Sequence, residues 1–460
     1  MELLYNVKDR PSPGKIIVFA LQQLLSILAG TVTVPIIVGN GMSQSAALIG
    51  ASVGTLLYLV LTKFRSPVFL GSSFTYLGSM SAAFAGAMTT AIGYIGLLIG
   101  AALAGLVYVI LSIIIHFTGS KWVDKVFPPI IIGPTVAVIG LVLSPNAINN
   151  ISKGNVLVDG VSIANPYLCL LVGLVTLVVA IICSVYGKKM IKLIPFIVGI
   201  GAGYLLALIF TLIGNGANIN ALKIIDFEPI IHMKWLPDFA FLKVFEGAKD
   251  FANPNEFWKY FSFIAVSYVP VAFAVFAEHI ADHKNISYII NINLLEDPGL
   301  SRTLMGDGVG SIIGAVIGGC PNTTYGESIS CLAFSRNASI ITIVVASVIA
   351  IIVAFIAPVM AVLASIPACV IGGLSIALYG FIASSGLRML KQVDLTEPKN
   401  IFVIATIFVF GIGGMVLQFK YFEVSPVACA LIGGLSINLL VNIPTKKNNK
   451  EETNKPNQEE

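Results

Sequence analysis

Apolar runs long enough to cross a lipid bilayer follow one another along almost the whole chain, and no other feature restricts the fold so severely. A helix rises 1.5 Å per residue, so about 20 mostly apolar residues cross the hydrocarbon layer. Such runs lie near residues 16–38, 43–62, 66–86, 91–117, 127–145, 165–186 and 193–213. They resume near 258–281, 299–318, 319–335, 338–357, 363–386, 400–418 and 424–443. The expected fold is an all-α polytopic membrane protein of fourteen transmembrane segments, divided seven and seven by a long connection at 214–257. Only 11% of the 460 residues are charged while 57% are hydrophobic. A soluble domain carries roughly 25% charged residues, so the exterior of this chain must face lipid. The net charge of +4 gives no footprint for nucleic acid, and none is expected as a partner.

Basic residues report orientation, because cytoplasmic segments retain Lys and Arg. If both termini are cytoplasmic, the inward segments hold 20 of the 27 basic residues. The outward ones keep only Lys153, Lys223, Lys234, Lys243, Lys249, Lys259 and Lys420. Losing one segment would scramble this division. The expected location is therefore the cytoplasmic membrane, with an external connection at 214–257. Residues 1–15 are polar and carry no cleavable leader pattern. Residues 445–460 are rich in Lys, Asn and Glu and read as a disordered cytoplasmic tail. The six cysteines lie in apolar stretches without CxxC or CxxH spacing, and read as small core residues rather than a disulfide or zinc framework.

The two halves, 1–213 and 258–444, echo each other. FPPIIIGPTVAVIG (127–140) matches IPACVIGGLSIALY (366–379) at an offset of 239 positions, so that Pro128 meets Pro367 and Gly133 meets Gly372. SSFTY (72–76) resembles TTYGE (323–327) in the third segment of each half. A repeat of an odd number of segments must invert in the membrane, the arrangement of alternating-access carriers. The third segments, SPVFLGSSFTY (66–76) and GGCPNTTYGE (318–327), cannot be helical throughout. Pro67 and Pro321 remove donors, Gly71, Gly318 and Gly319 loosen the backbone, and Val68–Leu70 and Thr323–Tyr325 favour extended structure. Irregular backbone at membrane depth survives only inside protein or beside a cavity. Each broken segment is expected to start a half-helix whose free N–H groups point at a shared site. The plainer alternative is a pair of packed Pro/Gly kinks.

Few acids interrupt the apolar runs. Glu278 lies in VPVAFAVFAEHIADH (269–283) and Glu327 in CPNTTYGESISCLAF (320–334), with Asp282 and Asp307 nearer segment ends. A charge at the bilayer centre costs on the order of 3 kcal/mol, so Glu278 and Glu327 are candidates for binding a substrate and loading a proton. Glu278 could instead only hydrogen-bond a broken helix. His279 and His283 share a helical face, which raises a zinc site. The order is E-H-x-x-D-H rather than H-E-x-x-H, and a chain with four histidines offers no evident third ligand. No metal and no enzymatic activity are expected.

With these residues in view, the sequence resembles the nucleobase–ascorbate transporters (nucleobase:cation symporter 2), and among them the bacterial uracil permeases. The resemblance rests on LAGTVTVP (28–35), PVFLGSSF (67–74), AEHIADH (277–283), DPGLSRT (297–303), PNTTYGESI (321–329) and IGGLSIALYGFIASSGLR (371–388). It implies a core domain from segments 1–4 and 8–11, a gate domain from segments 5–7 and 12–14, and short antiparallel β-strands in broken segments 3 and 10. It further implies a homodimer that imports uracil with protons by alternating access, with no cofactor. Glu278 and Glu327 would hold the polar edge of the ring, the N–H groups near Phe74 and Gly326 would assist, and Phe74 and Tyr325 would wall the site. Glu327 favours uracil, since xanthine and urate carriers typically have Gln at the matching position. One departure concerns coupling. Some uracil permeases have histidine four residues after the Glu278 equivalent, where this chain has Asp282 followed by His283. Asp282, His283 or Glu278 alone are the candidates for the proton. A purine, another pyrimidine, or an anion carrier or channel of the same architecture are the competing readings.

Overall fold

The computed structural model describes residues 3–443 apart from 121, 159–160, 189–190, 192–194, 234, 248–253, 420–421 and 425. The tail at 445–460 lies outside the described residues. In lipid a chain must satisfy its own backbone, and the apolar runs do so as helices. The first half contains α1 (Pro13–Val38), α2 (Gln44–Leu61), strand β1 (Leu70–Ser72), α3 (Leu77–Ala85), α4 (Thr90–Thr118), α5 (Val123–Val126) and α6 (Pro129–Asn150). A small hairpin, β2 (Leu157–Val158) and β3 (Val161–Ser162), leads to α7 (Pro166–Tyr186) and α8 (Pro195–Gly216). Ser43, Thr89 and Asn165 accept the first N–H groups of α2, α4 and α7 and so fix where these helices begin.

The central connection carries two short helices, α9 (Glu228–Ile231) and α10 (Ala240–Gly247). Lys243 of α10 donates to the Gly41 carbonyl at 2.7 Å and the Tyr94 hydroxyl at 2.9 Å, which ties the connection to the ends of α1, α2 and α4. The second half contains α11 (Pro254–Ile290), α12 (Leu300–Gly318), β4 (Asn322–Thr324), α13 (Gly326–Ser335), α14 (Ile340–Ala354), α15 (Ala357–Ala364) and α16 (Ala368–Met389). It ends with α17 (Pro398–Ile412), the hairpin β5 (Leu417–Phe419) and β6 (Phe422–Val424), and α18 (Pro426–Val441). Among the described residues, eight helices are long and apolar enough to cross a membrane, or nine if the bent pair α14–α15 counts as one span. The other expected segments fall on α12, on the strand–helix units β1–α3 and β4–α13, and on the shorter apolar helices α17 and α18.

Helix α11 runs about two and a half turns beyond the apolar stretch that announces it. One face of its polar continuation is covered by protein, with His283, Ile286, Ile289 and Ile290 buried, so the hydropathy pattern ends before the helix does.

Small residues set the packing. Helices α6 and α16 cross so closely that a Cβ on Gly133 would lie 2.9 Å from the Gly386 carbonyl oxygen, and one on Gly372 would lie 2.9 Å from that of Ala147. These two contacts exchange under the 239-residue offset, because 133 maps onto 372 and 147 onto 386. An antiparallel pair whose contacts swap in this way is related by a two-fold axis, and the inverted repeat is therefore visible in the packing itself. Helices α2 and α12 approach similarly through Gly50, Gly54, Gly310 and Gly314. Helices α2, α4, α11 and α12 pack as one group with α1 and α14, while α6, α7, α8 and α16 to α18 form another. A void of about 110 Å³ between α1, α8 and α16 is lined by Leu28, Val32, Ile200, Leu363 and Leu374.

This packing yields a stability test. A side chain on Gly54 would meet the Gly310 carbonyl oxygen at 2.7 Å and the Asn322 amide at 2.6 Å, whereas nothing stands within 4 Å of a Cβ on Gly201. Gly54→Val is expected to lower stability by about 1–3 kcal/mol through overpacking, and Gly201→Ala to leave it unchanged or raised. Thermal unfolding of the purified protein checks this, and equal midpoints for both variants would contradict the close helix approach.

Candidate functional site

The two broken segments meet. Strands β1 and β4 pair antiparallel, with Leu70 opposite Thr324, Gly71 opposite Thr323 and Ser72 opposite Asn322. The Ser73 N–H extends the ladder by donating to the Pro321 carbonyl at 2.9 Å. A two-stranded ribbon leaves two polar edges, which at membrane depth need partners. Thr55 of α2 accepts the Leu70 N–H at 2.9 Å, and the Ser328 hydroxyl accepts that of Phe69 at 3.2 Å. Asn322 uses its amide to reach the Gly50 and Gly310 carbonyls at 3.1 and 3.2 Å, which fastens β4 to the α2–α12 pair. Gln23 of α1 donates to Ser328 in turn.

Tyr325 belongs to this scaffold. Its hydroxyl donates to the Ser72 carbonyl at 2.7 Å, and its ring fills the space over Gly30 and Gly71, where no side chain could fit. It is 3% exposed. Tyr325 is thus packed between α1 and the ribbon, whereas Phe74 lies where the ribbon turns into α3. Phe74 packs edge-on against Tyr379 of α16, with centroids 6.0 Å apart.

Each strand hands over to a short helix, α3 after Phe74–Tyr76 and α13 at Gly326. The first N–H groups of a helix have no intrahelical acceptor. Among the described residues the N–H groups of Phe74 and Gly326 find none elsewhere. Gly326 is exposed, with no atom within 4 Å of a Cβ position. Two helix starts, each with partial positive charge, therefore border open space.

Helix α11 runs past both starts. Residues four apart share a face, so Glu278 and Asp282 look one way and His279 and His283 another. Glu278 Oε2 accepts a hydrogen bond from Thr75 Oγ1 at 3.0 Å, and Asp282 Oδ2 accepts one from Thr324 Oγ1 at 2.6 Å. Glu278, Asp282 and Glu327 are all half-buried and close enough to feel one another's charge. No basic side chain pairs with them among the described residues.

The two histidines sit in a separate polar layer. His279 Nδ1 lies 2.7 Å from Asp307 Oδ2, and its Nε2 lies 3.1 Å from Thr303 Oγ1. His283 donates from Nδ1 to the His279 carbonyl at 2.8 Å, and its Nε2 meets the Tyr58 hydroxyl at 2.7 Å. Tyr58 also touches Ser66, and all of these groups are almost completely buried. Every imidazole nitrogen of the pair thus has a protein partner. The layer joins α11 to α2 and α12, not to the open space beside Glu278.

The structure therefore brings Glu278, Glu327, Phe74 and Gly326 to one place, with Asp282 a turn away; Tyr325, close to both glutamates, packs on Gly30 and Gly71, and His283 is engaged by Tyr58. Thr75, Thr324, Thr55 and Asn322 were not singled out by the sequence, although three of them lie inside or beside the motifs that were. Carboxyl oxygens, two unpartnered N–H groups and an aromatic edge suit a flat, neutral ring with alternating donors and acceptors. Three carboxyls without a basic partner among the described residues disfavour an anion there.

Comparison with known proteins gives this site a context. The uracil permease of Bacillus caldolyticus is 37% identical over 443 residues, covering 95% of this chain and 94% of the relative. The uracil permease of Bacillus subtilis (strain 168) is 36% identical over 448 residues, with 95% and 94% covered. The transmembrane domain of a cyanobacterium bicarbonate transporter, BicA, superimposes with a TM-score of 0.60 at 15% identity, covering 94% of this chain and 99% of that one. At that identity the likeness concerns the fold alone, which is the seven-plus-seven inverted repeat. A model of the Permease family matches residues 14–419, and the chain, a membrane transporter rather than an enzyme, belongs to that family.

Proposed function

We propose that this protein imports uracil across the cytoplasmic membrane together with protons, by alternating access. The observation that carries this reading is the convergence of Glu278 and Glu327 with the free N–H groups of Phe74 and Gly326. Uracil offers two N–H donors and two carbonyl acceptors around a flat ring. A carboxyl that holds a proton can pair with one of each, and the backbone N–H groups can take a second carbonyl. The similarity to curated uracil permeases over almost the full length supports the same cargo. Glu327, in place of Gln, favours uracil over the purine alternative. The fold is shared with a bicarbonate transporter, but a bicarbonate ion beside these helix starts would also face Glu278, Asp282 and Glu327 with no basic side chain to balance them, which argues against anion carriage.

In this reading α1 to α4 and α11 to α14 form the core domain that holds the substrate, and α6 to α8 with α16 to α18 form the gate. Two copies assemble in the lipid as a homodimer with cytoplasmic termini, and the only coupling partner is the proton. Glu278 takes the proton with the substrate, and Asp282, one turn along the same face, is the second acidic group within reach. His283, bound to Tyr58, steadies α11. Coupling requires that proton and uracil prefer the same state of the transporter.

Uptake of radiolabelled uracil by cells lacking their own permease tests this. Uptake should fall about ten-fold or more with Glu278→Gln at unchanged abundance, as expected when a buried charged hydrogen bond is lost, and should collapse with a protonophore. Undiminished uptake by Glu278→Gln would remove that residue from the mechanism, and absence of uptake by the intact chain would remove uracil. The two candidates on α11 separate in a second comparison. Asp282→Asn is expected to weaken the response to a proton gradient without abolishing it, since Glu278 remains, while His283→Asn lowers the amount of uptake but keeps its sensitivity to the protonophore. The reverse pattern would assign coupling to His283.

A further inference from the structure

We propose that Thr75 is a positioning residue that sets the substrate-facing geometry of Glu278, an inference that rests on Glu278 being a substrate ligand. Thr75 Oγ1 donates to Glu278 Oε2 at 3.0 Å. A carboxyl oxygen so engaged fixes the rotation of the whole group, and it leaves Oε1 as the atom free to meet a ring N–H. Thr75 also follows Phe74 directly in the chain, and the turn at Phe74–Tyr76 is held by the Leu77 N–H, which donates to the Phe74 carbonyl at 3.1 Å. One short turn therefore presents the Phe74 N–H and clamps the carboxyl of another helix, so the two polar contacts move together.

The turn itself is braced from behind. The Ser73 N–H is bound to Pro321, and the Ser72 carbonyl accepts from Tyr325. Thr75 is half-buried at the border of the open space, between the buried Phe74 and Tyr76. Threonine is suited to this task because its branched Cβ restricts the side-chain torsion, whereas a longer donor would leave Glu278 free to follow it. Thr324 of β4 holds Asp282 at 2.6 Å, so the turn after β1 and strand β4 each hold one carboxyl of α11. Of these two threonines, Thr75 is the one that acts on a carboxyl assigned to the substrate.

The experiment measures uracil dissociation constants on the purified full-length protein for Thr75→Val, Thr75→Ser, Glu278→Gln and the Thr75→Val/Glu278→Gln pair. Binding by Thr75→Val is expected to weaken about ten-fold, the usual scale for a hydrogen bond to a charged group, and Thr75→Ser is expected to bind within about two-fold of the original. In the Glu278→Gln background Thr75→Val should have almost no further effect, since the two side chains act as one unit. Thermal midpoints are recorded alongside. A residue that only stabilises the fold would lower the midpoint and add its effect in both backgrounds. Full additivity, or a serine variant as weak as the valine one, would overturn the proposal. If Glu278→Gln itself leaves binding unchanged, the assignment of Glu278 falls instead. If Glu278→Gln weakens binding but Thr75→Val does not, only the positioning role falls.

Discussion

A peptide group left unpaired in hydrocarbon costs several kcal/mol, and this single cost shapes the molecule. Most of the chain avoids it by forming helices. At two places the sequence forbids a helix, around Pro67 and Pro321, and there the backbone finds partners in the other half of the protein. Residues 70–72 and 322–324 pair with each other, and Thr55, Ser328 and Tyr325 serve backbone groups the ladder leaves over. The interruptions can therefore persist only as a pair. What they expose in return is a pair of helix starts, where unpaired N–H groups can serve a ligand.

Around that ribbon the packing depends on glycine. The α2–α12 and α6–α16 pairs touch backbone to backbone at Gly54, Gly310, Gly133 and Gly372, which suits a protein whose helices gain little from apolar burial against lipid. The close approach of α2 and α12 brings the Gly50 and Gly310 carbonyls within reach of one Asn322 side chain, and so positions β4. Glu278, Thr75 and the start of α3 owe their relative placement to this frame, which links helix packing directly to the geometry of the carboxyls.

Much of this was legible in the sequence, for reasons that differ by element. Long helices such as α4 and α7 were plain because lipid demands continuous apolar runs. The breaks were plain because Pro and Gly act locally. Strand β1 came out two residues later than the preference of Val68–Leu70 suggested and β4 one residue earlier than that of Thr323–Tyr325, since register is settled across strands and not within one. The extension of α11 to Ile290 was hidden because one face of it, with His283 and three isoleucines, is buried by partners distant in sequence while Asn285 and Tyr288 stay exposed. The carboxyls Glu278 and Glu327 stood out by their cost, whereas Thr75 and Thr324 did not, since a threonine in a span costs little and shows its role only once its partner is known. The facing of Asp282 and His283 to different sides of α11 follows from helical spacing, but which side meets the ribbon is a tertiary fact.

The central claim is that the paired broken segments and the Glu278 face of α11 form one substrate site. An experimental structure of the full-length protein with uracil bound tests this most directly. The ring is expected to lie beside the starts of α3 and α13, with polar contacts from Glu278, Glu327 and the N–H groups of Phe74 and Gly326. A ring bound elsewhere, for instance in the polar layer of His279, His283 and Tyr58, would contradict it.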